Sequence, residues 1–269
     1  FYLINYYDRF LFMKFFIINL KIAKDRKEYM QNLCLKHNLD YEIIQAVDGK
    51  ELDSDFVKNI SDFSLSEKYL GRTLSLGEIG CALSHKKCFE RMFELNLNEC
   101  LILEDDAYFD EKLNYILSLK DKFPKDLELF LLGHYRQVYL DDGFRIESPF
   151  SLRYDYKIDD FYHAKRLVGG GNGTHGYYIN KNGALKMYKY LEKIIFPYDH
   201  CTSNDNIINV YALYPVVITT DEIFGAQTYV QDDNKRRYRK RSKISKYIKK
   251  IKNKIIFFIP SLKKLRKYE

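Results

Sequence analysis

Residues 101–106 read Leu-Ile-Leu-Glu-Asp-Asp, a short apolar run that stops at three consecutive carboxylates. A run of this length between polar flanks predicts a buried strand. A strand that ends this way brings three like charges to one edge of a sheet, where they repel unless something positive sits among them. In an open α/β sheet, ligands bind in the crevice at the carboxyl ends of the strands. Hard divalent cations take carboxylate oxygens and bridge to substrate phosphates, so a metal carrying a phosphate is the natural occupant. The triplet could equally cap a following helix or face water, and the six residues alone leave both readings open.

The flanking sequence predicts the sheet that this strand belongs to. Residues 14–20 (KFFIINL) form a compact apolar run, and 25–38 carry Tyr29, Leu33 and Leu35 at helical spacing. Residues 41–47 (YEIIQAV) are a second strand, closed by the turn pair Asp48-Gly49. Strand, helix and strand in this order are the βαβ unit of a parallel sheet. Residues 53–72 read as polar and irregular. Ser75 precedes a long helix over 76–95, with Glu78 placed as a capping box requires. Residues 127–132 (LELFLL) predict another strand, 140–165 an excursion rich in Asp and Tyr, and 215–219 the last core strand.

Gly171-x-Gly173-x-x-Gly176 formally matches the dinucleotide fingerprint. That motif has to follow a strand and open a helix. Here Tyr177-Tyr178-Ile179 continues as a strand and the helix waits until about Asn182, so the dinucleotide reading is rejected. A glycine loop entering a strand remains, either a hinged lid or a plain surface turn.

The net charge of +7 conceals a division. Residues 235–269 hold 16 of the 44 Lys and Arg and one of the 37 acids, so the tail carries +15 and residues 1–234 carry −8. Within the tail, Ile244, Ile248, Ile251, Ile255 and Phe258 recur at helical spacing, with basic residues between them. This is the pattern of a basic amphipathic helix lying on an anionic membrane surface. Nucleic acid would be served by the basic face without Ile-Ile-Phe-Phe-Ile, and docking on the acidic body is the remaining alternative. A domain boundary is expected near 230, separating a 13–230 domain from the 231–269 tail. Residues 1–12 lack a basic start and a cleavage site, and Met13 precedes the first strand; 1–12 is expected to be a non-native or upstream extension. No run approaches the 18 apolar residues of a membrane span. Five cysteines, with no Cys-x-x-Cys pair, argue against a disulfide framework or a zinc site and for a reducing compartment.

Three patches recur in a telling order: Ile18-Asn19-Leu20 with Asp25-Arg26, then LGEIGCALSH at 76–85, then LILEDD. Taken singly, each has a plain explanation, and a lone His85 is more often a satisfied interior histidine than a catalyst. Together with FFIINLKIAKDR, YEIIQAVDGKEL, LILEDDAYF, GTHGYYINKNGALKM and PYD, they make the chain resemble glycosyltransferase family 25 over residues 13–220. That family comprises the lipooligosaccharide and lipopolysaccharide glycosyltransferases of Gram-negative bacteria.

The resemblance implies an α/β, GT-A-like Rossmann-type domain that uses a nucleotide-diphospho-sugar, here with the basic amphipathic C-terminal tail appended. Glu104-Asp105-Asp106 stands where the family's D-x-D-type motif belongs, with Glu in place of the first Asp. Mn2+ or Mg2+ is then the expected cofactor, held by Glu104, Asp106 and His175, with a UDP-sugar as donor. Asn19, Arg26, Ala46 and Asp48 lie near the ends of the first two strands, where nucleotide contacts are expected. Gly77, Glu78 and Gly80 at the long helix could approach the nucleotide closely. The family is thought to invert the sugar's configuration, which requires a general base. Asp199 is the candidate, with Asp205 and His85 behind it. The product would be a hexoside, with galactose in β linkage expected, on a lipid-linked oligosaccharide. The protein is then expected in the cytoplasm, peripheral on the inner membrane, with no nucleic-acid partner. A metal-dependent phosphohydrolase and a non-catalytic membrane-surface scaffold are the alternatives.

Overall fold

Phe15, Phe16 and Ile17 are consecutive and all buried, so strand β1 (Lys14–Asn19) is covered on both faces. Phe16 packs with Ile79, Phe89 and Met187, whereas Phe15 and Ile17 pack with Met30, Leu113 and Ile116. Such continuous burial belongs to a parallel sheet with helices on each side. The structure, a computed structural model, describes residues 13–135, 137–139, 145–147, 150–167, 172–202, 204, 206–221 and 224. The 1–12 extension, the 231–269 tail, residues 168–171 of the glycine loop and Asp205 lie outside the described residues.

After β1 come α1 (Lys24–Lys36), β2 (Tyr41–Gln45), α2 (Ser54–Ile60), α3 (Phe63–Leu70) and α4 (Leu76–Glu94). Next are β3 (Glu99–Glu104), β4 (Ala107–Phe109), α5 (Glu111–Ser118), β5 (Leu129–Tyr135), β6 (Gln137–Tyr139) and β7 (Arg145–Glu147). The chain continues through β8 (Phe150–Lys157), β9 (His163–Leu167), β10 (Asn172–Asn180) and α6 (Lys181–Tyr190). It closes with α7 (Tyr198–Thr202), β11 (Val210–Tyr214) and β12 (Ile218–Thr220). Eight strands form one mixed sheet in the order β2-β1-β3-β10-β5-β11-β9-β8. β1 is parallel to β2 and β3, and β11 is parallel to β5. β10 is antiparallel to both β3 and β5, its neighbours on either side. Strands β1, β2, β3, β5 and β11 therefore all end on one edge, and β10 starts there. The expected α/β, Rossmann-type architecture is the one present. Among the described residues, no helix is long and apolar enough to cross a membrane.

Three stretches differ from the sequence-based expectation, the first being 140–165, where the expected excursion instead supplies β8 and most of β9 to the main sheet. Residues 53–72 are two short helices rather than irregular chain. Asp53 accepts from the Asp55 and Phe56 amides, both at 2.9 Å, and Asp62 accepts from that of Leu65 at 2.9 Å. The polarity belongs to these caps and to the exposed faces, and helices of two turns offer too little periodicity to read. The last strand of the main sheet is β11, before Pro215, rather than 215–219. A proline has no N–H to give a central ladder. β12 instead pairs with β4, immediately beyond the acidic triplet.

The long helix starts as expected: Ser75 Oγ accepts from the Glu78 amide at 3.2 Å, and Glu78 accepts from the Ser75 amide at 2.9 Å. Its first turns press on the turn after β2. A Cβ on Gly80 would lie 2.6 Å from the Val47 carbonyl oxygen, and one on Gly49 would lie 2.1 Å from that of Leu76. Both obstacles are backbone and cannot swing away. Gly80→Ala is expected to lower stability by about 1–3 kcal/mol, the usual range for overpacking, as read from a urea denaturation midpoint. A midpoint like that of the wild type would contradict this packing.

Candidate active site

The carboxylates of the triplet separate by position. Glu104 ends β3, and Asp105 and Asp106 form the turn before β4, which brings Asp106 back beside Glu104 and sends Asp105 toward β1 and α1. Asp105 is buried, accepting from Asn19 Nδ2 at 2.8 Å and from the Arg26 guanidinium at 2.8 Å. Arg26 also donates to the Phe224 carbonyl at 3.0 Å, and its guanidinium lies 5.5 Å from the Phe224 ring centroid. Asn19 ends β1 and Arg26 lies in the first turns of α1, so this knot ties three elements at the carboxyl edge. Burial raises the Asp105 pKa, against the pull of Arg26 and Asn19.

Glu104 and Asp106 face the amino end of β10. The register that pairs Gly176 with Leu103 sets His175 beside Glu104, with Nδ1 3.6 Å from the carboxylate. One ligand atom from each of Glu104, Asp106 and His175 lies within 4.8 Å of the others. Burial, first, pushes the Glu104 carboxyl up to about 7; Asp106 and Asp199 add to this, while His175 opposes it. Burial works against a charge on His175, but Glu104, Asp106 and Asp199 together raise its pKa. The Asp106 Oδ1 atom is buried and accepts no hydrogen bond. Asp106 Oδ2 lies 3.5 Å from the Arg26 guanidinium, and the bare, buried Oδ1 is costly unless a further cation meets it. Two carboxylates and an imidazole fit Mn2+ or Mg2+ as a donor set.

The same shifts give a pH dependence with a definite sign. A ligand must shed its proton before it binds metal. Since both Glu104 and His175 titrate higher than usual, Mn2+ affinity is expected to rise with pH as it passes through about 7, where Glu104 gives up its proton. Below that, each pH unit costs about tenfold per proton displaced, which calorimetric titrations at pH 6 and pH 8 would resolve. Equal affinity at the two pH values would contradict the protonated ligand set.

Asp199 stands in the first turn of α7, with Oδ2 accepting the Gly173 amide at 2.9 Å. Its charge is felt at both Glu104 and His175, so it borders the same cluster. His85 is placed differently. Its Nδ1 lies 2.9 Å from the Tyr177 hydroxyl and its ring stacks on Tyr198 at 3.7 Å. Burial lowers its pKa to about 3, and a ring enclosed in this way is out of reach of an acceptor hydroxyl.

Most of the expected nucleotide contacts have structural partners instead. Asn19 and Arg26 are committed to Asp105. Ala46 donates its amide to the Asn19 carbonyl at 2.9 Å, and Asp48 caps the turn that follows β2 by accepting from the Lys50 amide at 3.0 Å. Glu78 pairs with Arg72 at 2.5 and 2.7 Å, besides capping α4. Gly80 is buried against the Val47–Gly49 backbone, so its missing side chain serves packing rather than ligand approach; Gly77 is half-buried one turn from it. Three contributors were not read from the sequence. Asp105 lies in the turn after β3, where strand alternation gives no rule for separating it from its neighbours. The Asp221 amide, which donates to the Asp106 carbonyl at 2.8 Å, and Phe224 come from far along the chain and left no local signal.

Residues 12–202 match the family described as glycosyltransferase family 25, LPS biosynthesis protein. The chain belongs to glycosyltransferase family 25. A glycosyltransferase 25 family member of Drosophila pseudoobscura pseudoobscura is 34% identical over 188 residues, covering 67% of this chain and 28% of that protein. Procollagen galactosyltransferase 2 of Homo sapiens is 33% identical over 191 residues, covering 68% of this chain and 28% of its own length. The chain thus spans less than a third of the curated relatives it matches. Among solved structures, a glycosyltransferase involved in the glycosylation of the major capsid of PBCV-1 is 9% identical, covering 66% of this chain and 65% of that one, with a TM-score of 0.35. That likeness is too slight to bear on fold or function.

Proposed function

We propose that this family 25 chain transfers a hexose, galactose in β linkage, from a UDP-sugar to the oligosaccharide of a bacterial lipooligosaccharide or lipopolysaccharide, with inversion at the sugar and with metal assistance. The observation that carries the reading is the convergence of Glu104, Asp106 and His175 at the carboxyl edge of the sheet, with Asp106 Oδ1 buried and unpartnered. Galactose is favoured by the procollagen galactosyltransferases among the relatives, and the glycolipid acceptor by the family's description and the basic tail.

Glu104, Asp106 and His175 would hold Mn2+ or Mg2+, which supplies Lewis-acid neutralisation of the charge that develops on a departing diphosphate. The chain's own residues do the rest. Arg26 and Asn19 fix Asp105, and through it the end of β3, so that Glu104 and Asp106 keep their aim. Asp199, bordering that cluster, takes the proton from the acceptor hydroxyl as general base. Its Oδ2 accepts the Gly173 amide, which fixes how the carboxylate is turned toward the cluster.

The direct test is a panel of UDP-galactose, UDP-glucose and UDP-N-acetylhexosamines against a truncated bacterial glycolipid, with and without EDTA. Transfer of galactose that EDTA abolishes and Mn2+ restores is expected. Release of free sugar at the same rate with and without acceptor would favour the phosphohydrolase instead. The tail gives an independent expectation: at the cytoplasmic face of the inner membrane, each basic residue contributes about 1 kcal/mol to binding an anionic surface. Deleting 231–269 should release the protein from vesicles containing anionic lipid and spare transfer to soluble acceptors. A truncated protein that still sediments with such vesicles would sink this part.

A further inference from the structure

The LGEIGCALSH segment carries Cys81 and His85 one helical turn apart on α4, and the transferase reading uses neither. Both side chains approach Glu104: one ligand atom from each of Cys81, His85 and Glu104 lies within 4.8 Å of the other two. We propose that these three residues form a second cation site, for a soft ion of the zinc class, which shares Glu104 with the hard-ion site.

The chemistry of the donors separates the two sites. Glu104, Asp106 and His175 offer oxygens and one imidazole, as Mg2+ or Mn2+ prefers; a thiolate selects zinc-like ions. Thiolate, imidazole and carboxylate are each zinc ligands, and three protein ligands with one open position is the ligand count of a catalytic zinc site. Zinc–ligand bonds of about 2.0–2.3 Å put tetrahedral ligand atoms about 3.5 Å apart, so the three need to draw in by at most about 1.3 Å. Cys81 is half-buried and its side chain can make that movement, whereas His85 is already set.

The setting of His85 is the second observation. A metal-binding histidine is usually oriented by a hydrogen bond at its other ring nitrogen. His85 has such a partner in the Tyr177 hydroxyl at 2.9 Å, which in turn meets the Tyr198 hydroxyl at 2.6 Å. The ring is also stacked on Tyr198. On binding, Cys81 gives up its thiol proton to solvent as the sulfur–metal bond forms. The absence of Cys-x-x-Cys pairs spoke against zinc only for sites built from paired cysteines. This one draws a single cysteine and a histidine from a helix and a carboxylate from a strand end.

Sharing Glu104 makes the two ions antagonists, and this part rests on the proposed role of Glu104 in the transferase site. By linkage, each ion weakens the other by the same factor. The experiment uses the full chain with Co2+ as the probe for the soft site. The wild type should develop a near-ultraviolet thiolate-to-cobalt absorption band that added Zn2+ removes, and Cys81→Ser should lose it with its circular dichroism unchanged. Without any variant, Zn2+ but not Mg2+ should slow alkylation of Cys81 by iodoacetamide at least about tenfold, measured by peptide mass mapping. No band in the wild type, a band undiminished in Cys81→Ser, or alkylation indifferent to Zn2+ would each overturn the site. Mn2+ affinity read by electron paramagnetic resonance should fall about tenfold with Zn2+ in the wild type and stay constant in Cys81→Ser. A thiolate band with Mn2+ affinity unmoved would instead overturn the shared role of Glu104.

Discussion

Asp106→Asn is expected to lower kcat/KM for metal-dependent sugar transfer by about a thousandfold or more, while leaving the folded protein as stable as before. The rate follows from the work asked of the cation. Neutralising a leaving diphosphate is worth several kcal/mol, and each 1.36 kcal/mol is about a factor of ten. Asn keeps the shape and removes the charge, so Mn2+ loses one of its two carboxylates. The stability follows from the neighbours. Asp106 Oδ1 accepts no hydrogen bond, and the Asp106 charge helps raise the Glu104 pKa. Removing that charge relieves the repulsion with Glu104 and gives up the long 3.5 Å contact with Arg26, so the two effects offset and the denaturation midpoint of the metal-free variant should stay close to that of the wild type. A large loss of stability together with the loss of rate would mean that Asp106 is structural, and would remove the reason for placing a metal there.

Arg26→Met should behave in the opposite way, as a folding defect first. Arg26 and Asp105 form an ion pair at 2.8 Å with little exposure of either side chain. Breaking a buried pair from one side strands the other charge, at a cost of about 3–5 kcal/mol. The Arg26 link to the Phe224 carbonyl is lost as well. Adding Asp105→Leu to Arg26→Met should recover much of that stability, because the stranded carboxylate is then gone. Urea denaturation of the two single variants and the double variant forms a cycle that measures the coupling. Strict additivity would show that the ion pair does not organise the carboxyl edge.

These two residues also mark how far the sequence could be read. The apolar run at 101–103 and the acid at its end were legible, because a buried strand in a parallel sheet is continuously apolar and its end is abrupt. The capping box at Ser75 and Glu78 was legible because it is local. What could not be read was which side chains are committed to one another. Arg26 and Asn19 looked available for a nucleotide, yet both close on Asp105, 79 and 86 residues away. His85, read as a satisfied histidine before a catalyst, is turned inward by helix α4 against Tyr177 and Tyr198, and the sequence does not name those partners. Strand β11 was missed because Pro215 drew the boundary to the wrong side of a buried Val-Tyr-Ala-Leu run. In each case the deciding contact is tertiary, and neither spacing nor composition carries it.

If Glu104, Asp106 and His175 hold a cation through which this family 25 domain engages a sugar nucleotide, binding of that nucleotide has to depend on the cation. Calorimetric titration of the wild-type chain with UDP-galactose tests it most directly, run in Mn2+, then in EDTA, then after Mn2+ is restored. Binding is expected with Mn2+, loss of measurable binding in EDTA, and full recovery on restoration. The same affinity in all three conditions would contradict the claim.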